Sequence, residues 1–408
     1  MAGAGYHASS TTPGLLLAAD VTVARAKPQA LRSSLIVAKT RSTGLDASLR
    51  SMTAAPALDL TADVTALTTA LCDIESVSRD EALIAGAIEA ALAPLGHLEV
   101  TRHGNTVVAR TSLGRPERVV LAGHIDTVPL TTPPNLPTTR VGDELVGRGT
   151  VDMKGGVAVQ LRLAALLPEP NRDVTYVFYE GEEIDGEFNG LAHLADARPD
   201  LLAADFAVLL EPTNGGIEGG CKGSLRADVT ATGVAAHSAR PWNGTNAIHE
   251  GAAILNRLIS YEAQTVHVEG LDYHEALQAV GIRGGIAGNV IPDRCVVTVN
   301  YRYAPDKDGD QAEIHVREIF DGFDVEVMDN APGARPGLTL PAARAFVEAL
   351  GLPVGPKEGW TDVARFSALD VAAVNFGPGD PNLAHTDHER APVQQYVDAE
   401  AAMLRWLS

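Results

Sequence analysis

The chain has 408 residues, enough for two or three domains, of which 45% are hydrophobic and 5% aromatic. Its formal charge of −20 excludes a surface built to hold nucleic acid or an anionic membrane, and no apolar run reaches the roughly 18 residues that a membrane-spanning helix needs. Cys72, Cys221 and Cys295 are scattered, without metal-ligand or disulfide spacing, which fits a reducing, cytoplasmic setting.

Residues 1–51 differ from the rest. They hold six Lys/Arg and two Asp in an Ala/Ser/Thr-rich background without periodicity. They are expected to be a disordered or appended extension before a protein that starts at Met52, the alternative being a targeting or regulatory tail. Beyond Met52, Val64, Leu67, Leu71 and Ile74 fall at helical spacing, as do Ile84, Ile88, Leu92 and Leu95. Short strands are expected near Val100 and over 107–110. The apolar run 119–122 reads as a buried strand, a Pro-rich loop spans 129–137, and 157–167 reads as a helix. Strand-like runs follow at 174–179 and 206–210. Alternating helix and strand predict a mixed α/β sheet with helices on both faces.

From about 223 to 330 the pattern changes. Residues 225–232, 276–282, 295–303 and 323–328 read as strands, and 246–262 and 311–320 as helices. The order β-α-β-β-α-β predicts a small α+β, ferredoxin-like insert. The expected division is therefore a catalytic domain from 52–222 and 331–408, interrupted by a lid or dimerisation domain over 223–330.

Four apolar runs end on a His or an acid. The first meets Gly123-His124-Ile125-Asp126. In extended backbone His124 and Asp126 point the same way, an arrangement that suits a metal ligand and the group that orients it. The run 174–179 ends in Glu180-Gly181-Glu182-Glu183, and 206–210 ends in Glu211-Pro212. The run 371–376 enters a loop carrying His385. Asp152 lies in the glycine-rich turn Gly149-Thr150-Val151-Asp152-Met153-Lys154-Gly155-Gly156. Carboxylates are costly to gather unless a cation neutralises them, so two His and several acids on one rim fit a two-metal site. Taken alone, His124 and Asp126 also read as a surface histidine beside a solvated acid, and Glu182-Glu183 as a solvated acidic loop.

Taken together and in this order, His124-x-Asp126, the Asp152 turn, Glu182-Glu183, Glu211-Pro212, Asn289-Val290-Ile291-Pro292 and His385 resemble the dinuclear zinc amidohydrolases of the aminoacylase and glutamate-carboxypeptidase type, from about Thr61 to the C-terminus. The resemblance implies two divalent ions, Zn(2+) or else Co(2+). Asp152 would bridge them, with His124 and Glu211 at one and Glu183 and His385 at the other. His388 is the rival to His385. Asp126 would hold the His124 ring, and Glu182 would be the general acid/base. His237, in the segment 232–241, would be a lid residue that polarises the substrate carbonyl, often across a homodimer.

Three further stretches, 219–224, 359–366 and 375–381, resemble an actinobacterial branch of that family. Its members split N-succinyl-LL-2,6-diaminopimelate on the route to lysine. The implied partner is thus a small acylated amino acid, with its carboxylates met by Arg302, Asn289, Lys222, Thr361 and Arg365. Another N-acyl amino acid deacylase, such as one acting on acetylornithine, or a dipeptidase or carboxypeptidase of the same family shares these ligands. A non-catalytic relative would have lost a ligand or Glu182, and none is lost. A two-metal phosphoesterase would want clustered Arg near the acids, which is not evident.

Overall fold

The computed structural model describes residues 56–408, so the expected N-terminal extension lies outside the described residues. Helix α1 (Val64–Cys72) begins where Asp63 accepts the Ala66 N–H. With α2 (Ala82–Leu92) it buries the apolar stripes seen in the sequence. Strands β1 (Glu99–His103) and β2 (Thr106–Arg110) form a hairpin, and β3 (Arg118–His124) is buried on both faces. The Pro-rich loop leads to a short hairpin, β4 (Thr139–Val141) and β5 (Glu144–Val146). Helix α3 (Lys154–Leu166) starts three residues earlier than expected, with Gly155 and Gly156 inside its first turn. Then come β6 (Asp173–Tyr179), α4 (Gly190–Ala197), α5 (Pro199–Leu202), β7 (Phe206–Leu209) and β8 (Ile217–Gly219).

A second sheet follows. It is built from β9 (Gly223–Thr232), β13 (Ala276–Gly284), β15 (Arg294–Tyr303) and β16 (Asp324–Ala331), in the antiparallel order β13-β15-β9-β16. Helices α6 (Ala247–Ile259) and α7 (Gly309–Ile319) cover one face, packing on Leu225, Ala227, Val229, Val297, Val299 and Tyr301. Two short pairings lie beside it. One joins β10 (Ala236–His237) to β14 (Val290–Ile291), and the other is a hairpin, β11 (Thr265–Val268) and β12 (Leu271–His274). That hairpin was legible in principle: Glu269-Gly270, with φ of 49° and 92°, is a two-residue turn between alternating runs.

The chain then returns through α8 (Pro341–Leu350), β17 (Val354–Pro356), α9 (Val363–Ala368), β18 (Ala373–Asn375), β19 (Arg390–Pro392) and α10 (Val393–Leu407). The large sheet is mixed, in the order β1-β2-β6-β3-β7-β18-β8-β17. Alternate residues of its central strands feed two cores. One lies under α1, α2, α3, α8 and α10, and the other under α4, α5 and α9. Both faces are thus covered, which is why β3 reads as a continuous apolar run rather than an alternating one. The two crossings between the sheets are joined by reciprocal backbone hydrogen bonds, Cys221 N to Ala334 O at 3.0 Å and Ala334 N to Cys221 O at 3.1 Å. Among the described residues no helix is long and apolar enough to cross a membrane.

Candidate metal centre

Strands β6, β3, β7 and β18 are parallel neighbours, so their C-terminal ends share one edge of the sheet, where open α/β sheets place their sites. β3 ends at His124, β6 leads to Glu182 and Glu183, β7 leads to Glu211, and β18 leads into the loop of His385. Asp152 arrives from the turn before α3. His124 Nε2 lies 3.0 Å from Asp152 Oδ1. His385 Nε2 lies 3.3 Å from Asp152 Oδ2 and 2.9 Å from Glu183 Oε2. Ligand atoms of His124, Asp152 and Glu211 fall within 4.8 Å of one another, and so do those of Asp152, Glu183 and His385. Two triads therefore share one carboxylate, each of whose oxygens faces a different imidazole. His388 is exposed and belongs to neither triad. His385 itself has φ of 63°, a left-handed backbone that a histidine keeps only when its surroundings hold it there.

The electrostatics show a cluster short of positive charge. Burial and then the Asp152 carboxylate push Glu211 up to about 7. Its Oε1 is buried and hydrogen-bonds nothing among the described residues. Burial raises Glu183 as well. Hydrogen bonds to Asp152 and Glu183 lift His385 to about 10. Burial opposes the charge on His124, yet the Asp126 and Asp152 carboxylates hold it well above the usual imidazole range. Protons on the two imidazoles thus offset carboxylates that divalent cations would neutralise better, and the mixed His/carboxylate donor set suits such ions. Glu182 stands in neither triad. Burial, reinforced by Glu211 and Asp362 against the pull of His124, keeps its carboxyl well above the ordinary range.

Asp126 has a wider part than orienting a ring. His124 Nδ1 lies 3.1 Å from the Asp126 main-chain oxygen and 3.4 Å from its Oδ1. The carboxylate meanwhile accepts the Glu182 N–H at 3.1 Å, the Glu183 N–H at 3.2 Å and the Ser78 hydroxyl at 2.7 Å. It thereby fixes the Glu-Glu turn against β3. Gly156 is needed because a Cβ there would overlap the Leu210 carbonyl, next to Glu211. Lys357 donates to the Pro212 oxygen at 3.0 Å and pairs with Glu218 at 2.9 Å, placing a buried cation behind Glu211. Ser78, Lys357, Asp362 and Glu389 were not found from sequence, since each acts through backbone groups or through residues distant in the chain.

The expected substrate contacts divide. Lys222 is buried, pairs with Glu358 at 2.6 Å and donates to the His274 oxygen. Arg365 pairs with the buried Asp362 and lies over the Trp360 ring. Thr361 is buried and donates to Asn375 at 3.0 Å. Among the described residues Arg302 has only the Asn300 side-chain oxygen, at 3.0 Å, and pairs with no carboxylate. Arg302 faces Ser224 at the end of β15 near the crossings, whereas Arg294 faces Thr232 at the other end. Asn289 is at that other end, where its oxygen accepts the Ser238 N–H at 3.0 Å, beside the exposed His237. A single pocket combining Arg302 and Asn289 of one chain is therefore not what the sheet geometry provides.

The sequence profile of peptidase family M20/M25/M40 matches residues 120–408. A putative succinyl-diaminopimelate desuccinylase of Mycobacterium tuberculosis is 54% identical over 353 residues, covering 86% of this chain and 99% of the relative. A succinyl-diaminopimelate desuccinylase of Corynebacterium glutamicum is 46% identical over 365 residues, covering 86% of this chain and 98% of the relative. Among solved structures, a tripeptidase of Staphylococcus aureus superposes with a TM-score of 0.69 at 19% identity, covering 86% of this chain and 98% of that one. A dinuclear metal-binding peptidase of Bacillus subtilis superposes with a TM-score of 0.64 at 18% identity, covering 84% of this chain and 96% of that one. At these identities the two structures speak for the fold alone.

Proposed function

The chain belongs to peptidase family M20/M25/M40, and from that premise we propose that it is a succinyl-diaminopimelate desuccinylase, hydrolysing N-succinyl-LL-2,6-diaminopimelate to succinate and LL-2,6-diaminopimelate. The observation that carries the reading is the shared Asp152: two His/carboxylate triads meet at it, and a half-buried Glu182 beside them belongs to neither. The close relatives supply the substrate.

When bound, two divalent ions, taken as Zn(2+) with Co(2+) as the alternative, supply Lewis acidity for a water and for the amide carbonyl. His124, Asp152 and Glu211 would hold one, and Asp152, Glu183 and His385 the other. Glu182 takes a proton from the water as its oxygen attacks the carbonyl carbon. As the C–N bond breaks, the same carboxyl returns that proton to the leaving amine nitrogen. Asp126, clipped to the Glu182 N–H, keeps the carboxyl on that path. Arg302, a cation without a carboxylate partner, is the best placed of the candidates to receive a substrate carboxylate. Lys222, Thr361 and Arg365 shape the wall through their own pairings.

The second sheet would serve as lid and dimer contact. Among the described residues β13 is an edge strand, paired only with β15, and it exposes Val280 and Ile282, with Ile286 exposed just beyond its end. β9 is ten residues long, about 30 Å at the usual rise, and His237 lies beyond its far end from the crossings. That distance supports a His237 that serves the partner's site. Three buried, unpaired cysteines support a cytoplasmic setting.

Metal-loaded protein assayed against succinyl and acetyl amino acids and dipeptides tests the reading. Succinyl-diaminopimelate is expected to give the highest kcat/KM. An acetylated amino acid or a dipeptide leading by about tenfold would assign the chain to another branch of the family.

A further inference from the structure

Glu389 is almost fully buried and has no part in the reaction as described above. It nevertheless accepts three main-chain N–H groups of the turn that carries Asp152. Its Oε1 accepts the N–H groups of Gly149 at 2.9 Å, Val151 at 3.1 Å and Asp152 at 3.2 Å. Its Oε2 accepts from Arg148 Nη1 at 2.6 Å, and its main-chain oxygen accepts the Gly147 N–H at 3.0 Å. Arg148 is itself anchored to the Pro129 oxygen at 3.1 Å. Immediately after Glu389, β19 pairs with β5, so the segment is held from both sides. Four residues before Glu389 stands His385. One side chain thus joins the turn of Asp152 to the short segment of His385, although the two are more than 200 residues apart in sequence.

The two triads depend on this joint unequally. His124 and Glu211 sit at or next to the ends of the central strands β3 and β7, which pair with each other and hold both residues without help from Glu389. His385 sits in a loop, with its side chain 53% exposed, and Glu183 follows a turn. We propose that Glu389 is a positioning residue for the Glu183/His385 metal position: it sets the distance between Asp152 and His385 before any ion arrives. The inference rests on the dinuclear reading above. Without the carboxylate the Asp152 turn loses an acceptor shared by three N–H groups, and Arg148 loses its counter-charge. Asp152 and His385 then vary independently, and an ion at their shared position must order them itself.

Titration of metal-free protein with Zn(2+) by calorimetry, and with Co(2+) by visible absorption, tests this without reference to turnover. Wild type is expected to take up two ions. Glu389→Gln is expected to keep the first near its wild-type affinity and to weaken the second by about 10–100-fold, the usual cost of losing a group that orients metal ligands. Its Co(2+) spectrum at one equivalent should match wild type, and the change at the second equivalent should require excess metal. Glu389→Asp, which keeps the charge and shortens the reach, should fall between the two, and it serves as the readout if Glu389→Gln does not fold. Two ions bound at wild-type affinity by a folded Glu389→Gln, or equal weakening of both, overturns the inference. Fewer than two ions taken up by wild type overturns the dinuclear reading, and the inference with it.

Discussion

Glu182 and Glu183 are neighbours in the chain and sit in unlike surroundings. Both N–H groups are pinned by Asp126, which sends one carboxylate towards His385 and leaves the other outside both triads. Glu182→Gln should therefore retain wild-type metal content while kcat falls by about 10²–10⁴, as metal analysis beside steady-state kinetics would read. Metal loss in this variant would make Glu182 a ligand. Such residues were legible in the sequence because each strand announces its own end. Glu389 and Ser78 were not, because what they receive or donate is backbone or distant, and neither leaves a spacing behind. Asp173 is a third example. Its carboxylate accepts the N–H groups of Leu113 and Arg115 at 2.8 and 2.9 Å and the Thr111 hydroxyl at 2.9 Å. Burial works against the charge, but these donors hold the carboxyl below the usual range. A depressed pKa gives stability that is present at neutral pH and lost as pH falls through the folded value. Asp173→Asn should cost on the order of 1 kcal/mol at neutral pH. In parallel thermal melts the gap between the two proteins should close in acid, where the wild-type carboxyl is itself protonated.

At the scale of elements, α3 connects the chemistry to the core. Its first turn follows Asp152 directly, so its positive end faces the carboxylates, and Gly156 lets it lie against Leu210. Gly156→Val would drive helix and strand apart. It is expected to cost about 1–3 kcal/mol, as overpacking does, and to lower metal affinity through displacement of Glu211. An unchanged melting temperature with two tightly bound ions would contradict this. Long elements with one apolar stripe or a continuous apolar run, such as α1, α2, β3 and β6, were readable from their periods. The short ones were not. β8, β17 and β19 span three residues each and are fixed by their partners rather than by their own composition. The β11–β12 hairpin shows what was missed. Tyr273 donates to the Gly219 oxygen at 2.6 Å, while Glu269 accepts from Arg335 and the Gly337 N–H. The hairpin thus ties down both crossings between the sheets.

For the whole molecule, the separation of Arg302 from Asn289 and His237 along the second sheet has a direct test. In a two-fold dimer each site would draw Arg302 from its own chain and His237 from its partner. His237→Ala and Glu182→Gln subunits, each inactive alone, are mixed and allowed to exchange. Half of the dimers are then hybrids with one complete site, and about one quarter of wild-type specific activity should return. Demonstrated hybrids without activity would confine His237 to its own chain. The β-α-β-β-α-β order of this sheet was readable because two long helical stripes, α6 and α7, stand between its strand-like runs, although β13 is exposed along most of its length. Which end of it each residue occupies was not, since the order of strands in a sequence does not give their register.

The metal centre is also scattered in time. About 170 residues separate Glu211 from His385, and at 5–20 residues per second a ribosome needs roughly 10–35 s to make them. During that interval the nascent chain already carries His124, Asp152, Glu183 and Glu211, with His385 and Glu389 still unmade. A growing chain would therefore carry one complete triad, His124, Asp152 and Glu211, while the second waits for His385 to be made.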